Sequence, residues 1–386
     1  MSLHQLVGHG DIRAALARAN MRSSLPSALL IHGPRGVGKQ RLALWIAQLV
    51  MCEHPTDEGP CSACTACRMT LAVEHPDLHW YFPVPRPKGA GQRLVDALEE
   101  ARGQGLLERR NTPLRPSYTE ELRGLYLGTV QNIRRRAHLR PTMAEGQVFV
   151  IGDAELLIPQ ESSPEAANAL LKLLEEPPGA ARFILTSSES GRLLPTIRSR
   201  TIPLHLSSLP TGQVATFLQE HRGAAADVAT WAAKLSQGSI GRALAFLPDG
   251  DEMGQLEALR RKAFSLVSAA LAEGPTGGYT AALAFPASGA RGLVDLFAFM
   301  EEWLRDLGAV AAGAGQSVFN EDARPKLDEI VSRTGLRAPD IALAMSQVEE
   351  ARQLALGNVN PQLIVSGLVR RLRKTLVPKR MGGVRT

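Results

Sequence analysis

Two groups of residues in this chain have the types and spacing to do chemistry. The first is the stretch GPRGVGKQ, which places Gly33, Gly36 and Gly38 ahead of Lys39. Glycines in such a turn let successive backbone N–H groups converge on phosphate oxygens, and the lysine adds a compact positive charge. The pattern normally closes with Ser or Thr, whose hydroxyl binds magnesium, but Gln40 stands there instead. A glycine-rich turn that merely precedes a helix is the plainer alternative.

The second group is the chain's whole complement of cysteine. Cys52, Cys61, Cys64 and Cys67 are spaced C-x8-C-x2-C-x2-C in one turn-rich loop. Four thiolates so arranged match a closed tetrahedral zinc site, and with every position filled by protein the ion would be structural. Two other readings are open. An iron–sulfur cluster shares the C-x2-C-x2-C run but needs a further cysteine and its proline downstream, which are absent. A redox CxxC pair would leave two thiols unused. His54 and His75, close by in sequence, read as bystanders.

Such groups need elements to position them. Ala28 to His32 is a short apolar run predicting a buried strand, and from Lys39 the apolar residues Leu42, Ile46 and Leu49 recur at helical spacing. A second strand is expected over Val148 to Ile151, followed by Gly152 and Asp153. In a phosphate-loop ATPase the magnesium-binding acid follows such a strand directly. Here that position is Gly152, and Asp153 comes one residue later, either as a water-activating acid or as a cap for the next turn. SPEAANALLKLLEEPP predicts a helix capped by Ser162 or Ser163, opened by Pro164, and lined by Ala167, Leu170, Leu171 and Leu174. RFILTSS is a third strand, and GRLLPTIRSRT a polar turn rich in arginine. Residues of about 86 to 125 are charged and punctuated by Pro and Gly, and read as an exposed insertion with one short helix.

The chain's 386 residues allow two or three domains. Its net charge of +6 is concentrated at one end: residues 351 to 386 carry eight Lys or Arg and no acid. That is the pattern of a solvated helix end, with a phosphate-binding tail as the alternative. The uncharged runs Gly274 to Ala290 and Gln353 to Val369 are interrupted by Gly or Pro and too short to span a bilayer. The N-terminus shows no cationic start ahead of an apolar block, so a cytoplasmic location is expected.

The order of phosphate loop, four-cysteine module, HPD at His75 to Asp77, NALLKLLEEPP and TIRSRT resembles the clamp-loader family of bacterial DNA polymerase III, an AAA+ assembly, and within it the delta-prime type of subunit. The resemblance runs from about Gln5 to Leu376 and includes GNVNPQLIVSGLVRRL, which is similar to the last collar helix of clamp-loader subunits. It implies an α/β AAA+ domain of phosphate-loop type with a parallel sheet over residues 1 to 207, carrying the zinc module at 52 to 67. It further implies a small helical lid over 208 to 252 and an all-α collar over 253 to 386.

Motor subunits of that assembly carry Ser or Thr after the loop lysine, an Asp-Glu pair after the second strand, and an arginine in the lid helix. This chain has Gln40, Gly152 with Asp153, and Gly241 at the arginine position with Arg242 one residue off. One residue turns a helical side chain by about 100°, so Arg242 is expected to point elsewhere. Together these departures remove the parts on which phosphoryl transfer depends, and ATP binding is expected to be weak or absent. The resemblance implies that Arg200, in RSRT, is a finger offered in trans to a neighbour's ATP, with Thr201 replacing the family's cysteine. Expected partners are gamma/tau-type motors and a delta subunit in a hetero-pentamer, and through it the sliding clamp and primed DNA. The alternatives are a gamma/tau-type ATP-hydrolysing motor and a zinc-dependent nucleic-acid-binding protein. Against the latter, the cysteine loop has few bases and no aromatic residue to stack on a base.

Overall fold

Alternation within the first strand sets the layout of the N-terminal half. In β1 (Ala28–His32), Ala28 and Leu30 face one side, Leu29 and Ile31 the other, and all four are buried. A strand buried on both faces belongs inside a sheet covered by helices on each side. The computed structural model describes residues 3–4, 6–87, 93–115, 123–157, 165–272, 280, 285, 292–357 and 359–377. They form two compact units that divide between Leu244 and Ala245.

In the first unit, β1 is joined by β2 (Leu78–Tyr81), β5 (Val148–Ile151), β6 (Arg182–Ser187) and β7 (Ile202–His205) in the order β2-β5-β6-β1-β7, all parallel. Register is fixed by pairs such as Leu30 with Leu185 and Phe149 with Phe183. The edge strand β7 is largely exposed and carries Pro203, which has no N–H to offer a further strand. On one face lie α1 (Gly10–Met21), α2 (Lys39–Met51) and α3 (Thr65–Leu71), with Leu42, Ile46 and Leu49 of α2 fully buried. On the other lie α5 (Leu127–Ala137), α6 (Glu165–Glu175) and the short α7 (Pro195–Arg198). The result is an α/β unit, a five-stranded parallel sheet with helices on both faces, as the family resemblance implies. In α6, Leu170, Leu173 and Leu174 are buried and Leu171 only partly, so the apolar stripe includes Leu173. The expected caps Ser162 and Ser163, with Pro164, lie outside the described residues, as does the side chain of Ala167.

The stretch from 86 to 125 differs from the expectation of an exposed insertion with one short helix. It holds an 18-residue helix, α4 (Leu94–Asn111), and the two-residue strand β4 (Arg123–Gly124), which pairs antiparallel with β3 (Val84–Pro85) just ahead of the stretch. Leu98 is buried. Gly103 and Gly105, which read as punctuation, stand inside the helix, and Gly105 is where it meets Phe82: a Cβ there would lie 2.8 Å from the ring. The sequence between β7 and the unit boundary forms α8 (Thr211–Arg222), α9 (Ala226–Leu235) and the start of α10 (Ile240–Phe246).

The second unit is helical: α11 (Gln255–Leu271), α12 (Leu293–Ala311), α13 (Arg324–Thr334), α14 (Ala338–Leu356) and α15 (Pro361–Leu376). Their stripes pack into one core through residues such as Phe297, Leu304, Val348 and Leu368. A buried Arg260 sits within it, bonded to Glu257 at 2.9 Å and Asn320 at 2.8 Å. Asn360 caps α15 by accepting from Gln362 N at 2.8 Å. No helix among the described residues is long and apolar enough to cross a membrane.

Candidate functional site: a closed phosphate loop, a convergent cysteine cluster and an exposed arginine

The phosphate loop links β1 to α2, and its lysine is already fully engaged. Lys39 Nζ donates to the carbonyls of Gly33 at 2.9 Å and Pro34 at 2.7 Å and to Ser188 Oγ at 2.8 Å, which uses all three ammonium protons. Burial lowers its pKa to about 8, against the opposing pull of Asp153 and Glu155. Gln40 bridges two elements: its Nε2 donates to Asp153 Oδ2 at 3.0 Å, and its Oε1 accepts from Trp80 Nε1 at 3.1 Å. Its amide lies against Gly152, where a Cβ would come within 2.6 Å of Gln40 Cδ.

Asp153 is held in a left-handed conformation (φ 50°), with its N–H on Thr186 Oγ1 at 3.1 Å. Burial raises its pKa, and the charges of Lys39, Arg35 and Arg109 oppose that rise. Glu155 is buried too and accepts from Ser188 N at 3.0 Å. Its pKa is raised by burial first and by Asp153 second.

Residues expected in the lid close over this loop. Ser239 Oγ donates to Arg35 O at 2.9 Å and accepts from Arg242 N at 3.1 Å. Gly241 N donates to Gly36 O at 2.9 Å, and a Cβ on Gly241 would sit 2.9 Å from Gly36 Cα.

Arg200 follows α7, whose Ile197 is anchored in the core. Its Nε donates to Glu175 Oε1 at 2.5 Å and its Nη1 to Thr196 O at 3.0 Å, leaving the side chain partly exposed. Thr201 is buried, with its hydroxyl on Ile197 O at 3.1 Å, so it fixes the turn that presents the arginine.

The four cysteines converge: their sulfurs all lie within 4.8 Å of one another. Cys61 and Cys67 Sγ are 3.9 Å apart, close to the roughly 3.8 Å edge of a tetrahedron with 2.3 Å metal–sulfur bonds. Backbone N–H groups point at the sulfurs, from Cys61 to Cys52 (3.2 Å), Cys64 to Cys61 (3.4 Å) and Cys67 to Cys64 (3.4 Å). Such donors favour thiolates, and the N–H groups of Ala63 and Cys64 bring the Cys61 pKa down to about 6. This donor set fits a metal. The cluster contains neither neighbouring histidine. His75 Nδ1 accepts from Asp77 N at 3.2 Å, and the Asp77 carboxylate receives the N–H groups of Thr142, Met143 and Ala144 at 2.7 to 2.8 Å. HPD is thus a structural bracket on the loop before β5.

Comparison with known proteins bears on the same region. A family model described as DNA polymerase III, delta subunit, matches residues 8–210. The chain belongs to this family. Within it, the chain is 32% identical over 232 residues to DNA polymerase III subunit delta' of Escherichia coli K12, covering 60% of this chain and 57% of the relative. It is 34% identical over 182 residues to the Pseudomonas aeruginosa delta' subunit, covering 47% and 43%. A gamma/tau subunit of Mycobacterium bovis is 28% identical over 233 residues, 60% of this chain and 33% of the relative. The matches thus span about half the length of the delta' relatives. A gamma subunit-related protein from Thermotoga maritima superposes with a TM-score of 0.39 at 16% identity, covering 94% of this chain and 99% of that one. The clamp-loader likeness read from the sequence, of delta-prime type, is the one the two delta' relatives carry.

For this member of the DNA polymerase III delta family, sequence reasoning placed the glycine loop, Gln40 with Gly152, and the cysteines, each a local pattern. It missed Glu155, Trp80, Glu175 and Ser239. The only local hint was GDAE, in which a second acid follows Asp153 by two residues.

Proposed function

We propose that this chain is the non-motor, delta-prime-type subunit of a DNA polymerase III clamp loader, working in the cytoplasm. It does not hydrolyse ATP itself. It completes a hetero-pentamer with gamma/tau-type motors and a delta subunit, offers Arg200 to the ATP of a neighbouring motor, and so helps place the sliding clamp on primed DNA. Its working parts are a nucleotide-binding-type domain to residue 207, a lid over 208 to 252 and a collar from 253 to 386.

The observation that carries this reading is the engagement of Gln40 with both Asp153 and Trp80 above Gly152. Phosphoryl transfer needs a hydroxyl and a carboxylate on magnesium and a lysine free for the phosphates. Here the hydroxyl is an amide, the first acid is a glycine, and Lys39 is spent on protein oxygens. A partly exposed guanidinium held by a surface carboxylate and a turn carbonyl, as Arg200 is by Glu175 and Thr196, can exchange the carboxylate for a phosphate on an adjoining subunit. The cysteine cluster would hold a structural zinc through Cys52, Cys61, Cys64 and Cys67. When bound, the ion supplies cross-linking of the loop and no chemistry.

The test is ATP turnover by the chain alone and after assembly with its motor and delta subunits. No turnover alone, and assembly-dependent turnover that falls with Arg200→Ala while the complex stays intact, by about a thousandfold at the one adjoining ATP site, is the expected result. The similarity to gamma/tau subunits favours a second reading, a motor. Magnesium-dependent turnover by the chain alone, lost in Lys39→Ala, would establish it.

A further inference from the structure

Helix α4 has no part in the role described above, yet it is built into the wall of the closed site. The Arg109 guanidinium stacks on Phe82, 3.6 Å from the ring centroid, and lies 5.5 Å from that of Trp80. Arg102 donates to the Trp80 carbonyl at 3.2 Å. Two residues past the helix, the Pro113 carbonyl accepts from Arg41 Nη2 at 2.6 Å. The segment therefore grips Trp80, which bonds Gln40, and Arg41, which follows Gln40 in the chain.

The charges run the same way. In an active phosphate-loop enzyme a divalent cation balances the acid after the second strand. Here the buried Asp153 feels Lys39, Arg35 and Arg109, so α4 brings part of the positive charge that a metal would otherwise supply.

We propose that α4 locks the degenerate phosphate loop shut, with Trp80 and Arg109 as positioning residues that hold the Gln40 amide on Asp153. This rests on the reading of the loop as nucleotide-incompetent. It adds that packing from outside the loop enforces the incompetence, beyond the loss of magnesium ligands.

The experiment measures binding of manganese–ATP to the full chain by electron paramagnetic resonance of the free ion. Wild type is compared with Trp80→Phe/Arg109→Gln, with that variant carrying Asp153→Asn, and with Arg109→Lys. The double variant is expected to bind about tenfold more tightly than wild type, the worth of one hydrogen bond. Asp153→Asn removes the gain, and Arg109→Lys, which keeps a cation over the rings, behaves as wild type. Equal, weak binding by wild type and the double variant overturns the lock while leaving the incompetent-loop reading standing. Tight binding with turnover by wild type overturns both. Should the double variant fail to fold, Arg109→Gln alone is followed by hydrogen exchange. Faster exchange at Gly38 to Leu42 with α9 unchanged supports the lock, and unchanged exchange at those amides overturns it.

Discussion

The side chain of Gln40 occupies the space that a Cβ on Gly152 would need, with Cδ only 2.6 Å from that position. Two departures from a motor, 112 residues apart in sequence, are thus one structural unit: an amide where a hydroxyl would bind metal, and no side chain where the first acid would stand. The amide cannot step aside freely, because Asp153 and Trp80 hold its two ends.

Gly152→Ala should therefore destabilise the chain by about 1–3 kcal/mol, a steric cost paid by displacing a pinned side chain. In a Gln40→Ala background the same change should cost at least about 1 kcal/mol less. Urea unfolding of the four proteins of this cycle measures the coupling, and strict additivity would refute the interlock.

Replacing Gly241 with arginine, the residue the resemblance leads one to expect there in a motor, should lower stability and confer no nucleotide binding. Its Cβ would meet backbone, Gly36 Cα at 2.9 Å, and the Gly241 N–H to Gly36 O bond would have to open. A loss of about 1–3 kcal/mol is expected. Thermal unfolding with and without magnesium–ATP reads both effects, and a stabilised, nucleotide-responsive variant would show that the contact yields easily.

Arg200→Ala should leave the isolated chain's stability within about 1 kcal/mol, since its ion pair with Glu175 is solvated. The large effect is expected only on turnover in the assembly. A variant that unfolds the subunit would make Arg200 a structural residue instead.

The Asp77 carboxylate is pushed up by burial, but the N–H donors of Ala144, Thr142 and Met143 outweigh that and leave it below the ordinary aspartate value of 3.8. A depressed folded pKa stabilises above the unfolded value, and this stability is lost as pH falls through the folded one. Asp77→Asn should cost about 2–3 kcal/mol at pH 7. The gap from wild type should narrow on acidification below the ordinary aspartate range, where wild type loses its advantage. Urea midpoints across pH test this, and a pH-independent gap would assign the cost to packing.

Chelation that strips metal from the cysteine cluster should lower the melting temperature, and Cys64→Ser should do likewise, because binding energy at such a site is folding energy. Metal analysis should find zinc in the purified chain. Visible charge-transfer absorption would identify an iron–sulfur cluster instead, and an unchanged melt after verified removal would confine the metal's role to its own loop.

Both ends of α2 were legible because their signals are local: glycines spaced for a turn before Lys39, and cysteines spaced for one ion after Met51. Strands β1, β5 and β6 were legible as short apolar runs, and the arginine turn through the family resemblance, whereas β2 and the exposed edge strand β7 were not read. Gln40 was legible only as a loss. Its partners, Trp80 in β2 and Asp153 in the turn after β5, are distant in the chain, so the sequence showed a missing hydroxyl and not a made bond. Glu155 was missed because its importance lies in burial, which adjacent residues do not reveal. Helix α4 was misjudged because Gly103 and Gly105 weaken a helical pattern, whereas packing against Phe82 requires the bare backbone at 105.

The contact between Gly36 and Gly241 also bears on descent. On the proposed reading, a lineage lost an arginine at position 241 in one step, and the freed space then filled with main chain from the phosphate loop. Once the two backbones have come together, regaining the arginine is no longer the reverse of losing it. The lid must be reopened first, by changes that confer nothing until the last is made. Relatives that keep glycine at one of these positions should then keep it at the other.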